Sequence, residues 1–295
     1  LFASFAIFNG DLIICNGVNK PLIVNNNMAC SFLKDLADNT NANTPIARFV
    51  VTHNRYLIMA GSLTEGEEDQ LFISNTDTSG TWVGDSDPND AVNVNLGSRV
   101  PSGDSTIKGL GRFRDQLMVM FEDSVLPGTI GTFSGDDHIP TFIDAIESVG
   151  SLSHRVIRSV GENMFFGDTS GVGVSERALF TGTVTSNRAS QLIDPEYRKA
   201  VSKLKSTLTL EDRAWAIWNN HLDSYMLFIP NSDEAATNTE YRCFTYKNNK
   251  QLKIEAWSDW RNWNFRCGTV SALKRVFLCE GTQVFILGEE HKGDN

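Results

Sequence analysis

A polar turn followed by a short apolar run recurs six times along this 295-residue chain, and that repeat limits the fold more than any other feature. The runs are Leu12-Ile13-Ile14-Cys15, Tyr56-Leu57-Ile58-Met59, Leu117-Met118-Val119-Met120-Phe121, Met164-Phe165-Phe166, Tyr225-Met226-Leu227-Phe228-Ile229 and Val276-Phe277-Leu278-Cys279. Turn-like clusters precede them: Asn9-Gly10-Asp11, His53-Asn54-Arg55, Arg114-Asp115-Gln116, Gly161-Glu162-Asn163, His221-Leu222-Asp223-Ser224 and Lys274-Arg275. Ahead of most lies another apolar stretch, such as Phe49-Val50-Val51, Val156-Ile157 or Trp215-Ala216-Ile217-Trp218, so each unit reads as a β-hairpin. From Ile13 to Leu57, Met118, Phe165, Leu227 and Phe277 the steps are 44, 61, 47, 62 and 50 residues. They surround the ~40–50 residues of a β-propeller blade. Neighbouring blades cover both faces of the inner strands, which are therefore apolar at every position. The expectation is an all-β chain forming one six-bladed β-propeller over residues 1–295. An irregular β-sandwich or two smaller β domains also repeat hairpins and are the competing arrangements.

The longer steps require insertions, near residues 62–105 and 185–210. The second holds the one clear helical signal. Asp194 caps it, Pro195 suits the first turn and Glu196 complements the dipole. Tyr197, Ala200, Val201 and Leu204 then follow at helical spacing. Five cysteines at wide spacings, Cys15, Cys30, Cys243, Cys267 and Cys279, form no disulfide framework or zinc pattern. Cys15 and Cys279 sit in apolar runs and read as buried thiols, which points to a reducing compartment. No segment reaches the ~20 apolar residues that span a bilayer. The first residue is not Met, and residues 2–8 read as a strand met in mid-course, so a piece of a longer chain is the expectation. Acidic residues outnumber basic ones 36 to 26, a net charge of −10. That balance disfavours tight phosphate binding, while suiting a surface past which nucleic acid slides.

Candidate chemical motifs are weak. Ser74-Asn75-Thr76-Asp77-Thr78-Ser79-Gly80-Thr81-Trp82 resembles the Asp-box of sialidases, a structural turn between the outer strands of a blade. Asp85-Ser86-Asp87-Pro88-Asn89-Asp90 alternates oxygen ligands as a calcium loop does, but has Asp90 and Leu96 where Gly and Glu are needed. Asp136-Asp137-His138 lies in a Gly- and Pro-flanked loop and reads as solvated; His53, His154, His221 and His291 are scattered. Gly109-Leu110-Gly111 begins a glycine motif without completing it. Trp257, Trp260 and Trp263, beside Arg261 and Arg266, have the chemistry to stack a sugar or base, yet read better as packing or an interface. No catalytic, cofactor-binding or metal-binding residue is assigned.

Two stretches carry a family resemblance. One is Val50-Val51-Thr52-His53-Asn54-Arg55-Tyr56-Leu57-Ile58-Met59-Ala60-Gly61, followed by Gln70-Leu71-Phe72-Ile73-Ser74 and then by Trp82 and Gly84-Asp85-Ser86-Asp87-Pro88. The other is Arg158-Ser159-Val160-Gly161-Glu162-Asn163-Met164-Phe165-Phe166-Gly167-Asp168-Thr169-Ser170-Gly171-Val172, with Ser190-Gln191-Leu192-Ile193 after it. Together they resemble the tail nozzle (tail tubular protein B-like) proteins of short-tailed bacteriophages, over residues 45–230. The resemblance implies a non-enzymatic virion protein. It would assemble in the bacterial cytoplasm into a hexameric ring at the tail tip. There it would extend and gate the channel for double-stranded DNA, which passes without specific binding. An adaptor and fibres or a needle would dock on the ring. The main rivals are a sialidase-like glycoside hydrolase, which needs two carboxylates facing a central pocket, and another propeller interaction module.

Overall fold

The computed structural model describes residues 2–34, 42–80, 82, 91–100, 106–130, 140–160, 163–177, 184–189, 193–202, 204, 213–220, 222–230, 241–249, 254–261 and 263–287. Six antiparallel sheets follow one another in chain order and form a six-bladed β-propeller. Blade 1 is β1 (Ser4–Phe8), β2 (Asp11–Cys15), β3 (Leu22–Val24) and β4 (Cys30–Phe32). Blade 2 is β5 (Phe49–His53), β6 (Tyr56–Ala60), β7 (Gln70–Ile73) and β8 (Val92–Asn95). Blade 3 is β9 (Gly109–Phe113), β10 (Gln116–Met120) and β11 (Ser124–Thr129), with the short β12 (Thr141–Phe142) and β13 (Ile146–Glu147) both paired to β11. Blade 4 is β14 (Arg158–Val160), β15 (Asn163–Gly167), β16 (Val172–Arg177) and β17 (Val184–Arg188). Helix α1 (Asp194–Ser202) links it to blade 5, made of β18 (Trp215–Asn219), β19 (Ser224–Pro230), β20 (Tyr241–Asn249) and β21 (Ile254–Trp260). Blade 6 is β22 (Cys267–Val270), β23 (Val276–Glu280) and β24 (Gln283–Leu287).

All six apolar runs form the second strand of a blade. The turn ahead of each is tight, and a left-handed residue closes it: Asn9 and Gly10, Asn54 and Arg55, Arg114, Asp223 and Lys274 serve blades 1, 2, 3, 5 and 6. The corresponding residues of blade 4, 161 and 162, lie outside the described residues. Residues 62–105 are less of an insertion than their length suggests, because they carry β7 and β8, the outer half of blade 2. Cys15 is buried as expected, with its thiol pushed by burial to about 12, whereas Cys279 is only half-buried. All five cysteines are free. Helix α1 buries Tyr197, Ala200 and Val201, and the Tyr197 hydroxyl donates to the Asp168 carbonyl at 2.8 Å.

Among the described residues the core consists of five separate clusters, each between two consecutive blades. Leu57 and Met59 of β6 pack with Ile13 and Cys15 of blade 1; Tyr56, Ile58 and Ala60 turn the other way onto Leu117, Val119 and Phe121 of blade 3. Met118 and Met120 meet Met164 and Phe166 of blade 4, while Phe165 faces Tyr225 and Leu227 of blade 5. Met226 and Phe228 meet Val276 and Leu278 of blade 6. The first strands line the axis, and side chains tie them in sequence. The Thr52 hydroxyl donates to the Ile7 carbonyl at 2.9 Å and the Arg112 guanidinium to the Thr52 carbonyl at 3.1 Å. The Ser159 hydroxyl donates in turn to the Arg112 carbonyl.

Phe228 is an aromatic node between blades 5 and 6. Trp215 stacks on it at 4.1 Å and 2°, with Trp263 and Phe265 around it. Phe228→Ala is expected to cost about 3–5 kcal/mol in urea denaturation, the usual range for a buried Phe. Trp260→Ala, at a side chain 43 % exposed, is expected to cost under about 1 kcal/mol.

Candidate functional site

On the upper face of the propeller, where the first strands begin, one segment meets several blades. Residues 151–157, which lead into β14 through a turn of 3-10 helix at His154–Val156, cross the axis and touch every blade. The Leu110 N–H of blade 3 donates to His154 Nδ1 at 3.2 Å, and the imidazole stacks on Phe49 of blade 2 at 5.1 Å. The Ser153 hydroxyl donates to the Ala214 carbonyl beside blade 5 at 3.1 Å, and the Tyr225 hydroxyl donates to the Val156 carbonyl at 2.6 Å. Arg155 reaches the Arg266 carbonyl beside blade 6 at 3.1 Å, and its guanidinium lies 4.2 Å from the ring centre of Phe2 in blade 1. The incomplete glycine motif finds its use here. A Cβ on Gly109 would lie 2.9 Å from His154 Cα, so β9 admits the plug only because that position has no side chain.

Beside the plug is a small cavity lined by Phe2, Ala3, Ser4, Asn16, Arg48, Phe49, Ser153, His154 and Arg155. Two guanidiniums line it and no carboxylate does. The His154 tautomer follows from its partner: Nδ1 accepts a backbone hydrogen bond, so the neutral ring carries its proton on Nε2. Burial, with Arg158 and then Arg48 and Arg155 nearby, pulls the imidazole down to about 4. Burial likewise pulls the Arg158 guanidinium down, to about 10. A positive centre thus sits on the axis of a chain whose net charge is −10.

The motifs singled out in the sequence fall elsewhere. Ser74 to Gly80 lie after β7, at the opposite, lower face, and act structurally. The Leu57 N–H donates to the buried Ser74 hydroxyl at 3.0 Å. Left-handed Asp77 pairs with Arg55, accepting from its Nε at 2.9 Å, and its carbonyl accepts from Asn9 of blade 1 at 2.7 Å. Trp82 is buried between blades 1 and 2. The calcium-like loop at residues 85–90, the Asp136-Asp137-His138 trio, His221 and His291 lie outside the described residues. Among the described residues no group of three His, Cys, Asp or Glu side chains is placed to hold a metal. The tryptophan trio is split. Trp257 packs toward blade 4 and donates to the Ala189 carbonyl at 2.9 Å; Trp260 and Trp263 pair at 5.0 Å on the blade 6 side. Arg261 is exposed and reaches Asp259 at 3.5 Å.

The sequence reading missed the two ends of the blade series. On blade 1 the face turned away from blade 2 carries Phe5, Ile14, Leu22 and Phe32 in one cross-strand row, and Ile7, Leu12, Val24 and Cys30 in the next. Every position is apolar, yet Phe5 is 61 % and Ile7 71 % exposed. The outer face of blade 6 matches it, with Thr269, Phe277 and Ile286 in one row and Cys267, Cys279 and Val284 in the other; Val284 is 63 % exposed. Among the described residues no core cluster joins blade 6 to blade 1.

No family profile and no curated protein matches the chain. Solved structures do. One is a Bacteroides uniformis protein provisionally named 6-phosphogluconolactonase, with a TM-score of 0.54 and 10 % identity over 93 % of this chain and 76 % of that one. Another is a Lactobacillus plantarum protein, with a TM-score of 0.54 and 9 % identity over 96 % of this chain and 79 % of that one. Likeness at such identity speaks to the fold alone. Among the described residues no helix is long and apolar enough to cross a membrane.

The lowered His154 pKa sets a pH dependence. The unfolded imidazole takes its proton near pH 6.5 and the folded one near 4, so stability falls as pH drops through that interval. His53, lowered mainly by burial, acts in the same direction. His154→Gln is expected to flatten the fall in urea midpoint between pH 7 and pH 5 relative to the parent.

Proposed function

We propose that the chain is the propeller of a tail nozzle protein of short-tailed bacteriophages, a structural virion subunit that assembles with copies of itself around the DNA ejection path. One observation carries the reading: the first and last blades each present a largely apolar sheet face to solvent. In the interior of the propeller such faces bury side chains worth ~1.5–3 kcal/mol each. Monomeric proteins seldom leave a contiguous apolar face of this kind exposed. A head-to-tail ring, in which the blade 6 face of one copy meets the blade 1 face of the next, covers both at once and repeats the packing used five times within the chain. The resemblance of residues 45–230 to nozzle proteins supports the same reading.

The axial plug adds a constraint. Residues 151–157 fill the centre of the propeller, so the DNA path runs through the middle of the assembled ring and not through any single subunit. A net charge of −10 suits walls that repel phosphates and let DNA pass. The ring would form in the host cytoplasm, where thiols stay reduced, and would offer its remaining surface to an adaptor and to fibres or a needle. A glycoside hydrolase would need two carboxylates facing a pocket; the cavity beside the plug presents arginines, and Asp123, Glu147 and Asp168 line a separate, wider pocket.

Sedimentation velocity tests the reading. The chain is expected to form a hexamer-sized species, and Phe5→Asp with Ile7→Asp, or Val284→Asp with Ile286→Asp, to shift it to monomer. Immunogold labelling of purified virions should place it at the tail tip. A chain that stays monomeric at every concentration and is absent from particles overturns the proposal.

A further inference from the structure

The cavity on the axis has a chemistry that ring assembly does not use. We propose that it is a binding site for a phosphate group, held between Arg48, Arg155 and Asn16 at the centre of the upper face.

The donors are fixed by what already engages the other side of each group. The carboxamide oxygen of Asn16 accepts the Val18 and Asn19 N–H groups at 3.0 and 2.9 Å, which leaves its NH2 to donate. Ser4 is 6 % exposed, and its oxygen accepts the Val50 N–H at 2.9 Å, so its own proton points elsewhere. His154 accepts at Nδ1 and therefore donates from Nε2. The two guanidiniums are built in. Arg48 lies over the Phe49 ring at 5.1 Å, and its stem passes Gly17, where a Cβ would come within 2.3 Å of Arg48 Cγ. Arg155 is braced by the Arg266 carbonyl and the Phe2 ring. Side chains of blades 1 and 2 and of the plug thus bring donor groups to one cavity, with no carboxylate among the lining residues.

Donor groups gathered around one small cavity fit a tetrahedral oxyanion, and guanidinium forks bind phosphate oxygens in pairs. The cavity, taken over the positions a water's centre can occupy, measures about 40 Å³. That is room for about three waters, and so for one compact oxyanion. The phosphate would be either free or the head of a phosphomonoester whose remainder lies above the upper face.

Isothermal titration calorimetry with inorganic phosphate, against a chloride control of equal ionic strength, tests the site. Saturable one-to-one binding is expected. Arg48→Gln and Arg155→Gln should each weaken it at least tenfold, and Arg155→Lys, which keeps the charge, by less. Unchanged circular dichroism and urea midpoints show that a variant is folded. Should Arg155→Gln unfold, Arg48→Gln carries the test, with its own circular dichroism and urea midpoint as the folding control. A parallel titration with glucose 6-phosphate separates the sources: tenfold tighter binding than inorganic phosphate marks a monoester site, and equal or weaker binding marks a free-phosphate site. Heats no larger than the chloride control, or equal affinity in parent and Arg48→Gln, overturn the proposal.

Discussion

Face-to-face packing of consecutive second strands is the interaction on which the rest of this structure depends. In blades 2 to 5 each such strand lies between two neighbours and has no polar face. Tyr56, Ile58 and Ala60 serve one interface while Leu57 and Met59 serve another. The hydrophobic stabilisation is therefore divided among five interfaces instead of gathered in one centre. A blade alone has no core, and its stability is that of its neighbours. This explains why a chain rich in short strands needs no disulfide, and why its free thiols are compatible with a stable fold.

The same division explains what could be read from the sequence. The second strands are legible because burial on both faces removes alternation and leaves unbroken runs such as Leu117 to Phe121. Helix α1 is legible because Tyr197, Ala200, Val201 and Leu204 keep helical spacing and are all buried. The tryptophans mislead for a geometric reason. Trp257 and Trp260 are three apart, an odd separation, so a strand sends them to opposite faces although they look like a cluster in one dimension. The exposed faces of blades 1 and 6 are hidden by the opposite ambiguity. Leu12 and Ile14 carry the same pattern as Met118 and Met120, and no pattern says whether a neighbour is present.

The axial site was illegible for another reason. Ser151-Leu152-Ser153-His154-Arg155 has no periodicity, and its partners are Leu110, Ala214 and Arg266, contributed by blades 3, 5 and 6. Gly109 held the only local signal, since a glycine in an otherwise apolar first strand marks close approach by another backbone. Arg48, Arg155 and Asn16 sit far apart in the chain and meet at the upper face, where Arg48 and Arg155 precede the first strands β5 and β14 and Asn16 follows β2. Charge composition misleads in the same way, because a chain with ten excess acids still brings Arg48, Arg155 and Arg158 together near its axis.

The position of the plug in the chain also bears on the order in which the molecule comes together. The segment across the axis precedes blade 4, yet it hydrogen-bonds to residues 44 positions earlier and 61 and 111 positions later. Blades 1 to 3 leave the ribosome with no keystone, and the centre is complete only when Arg266 has been made. Closing such long loops is slow and comes late. The first three blades must hold together through their own two interfaces until then, which fits with Leu57, Met59, Leu117 and Val119 being among the most completely buried residues in the protein.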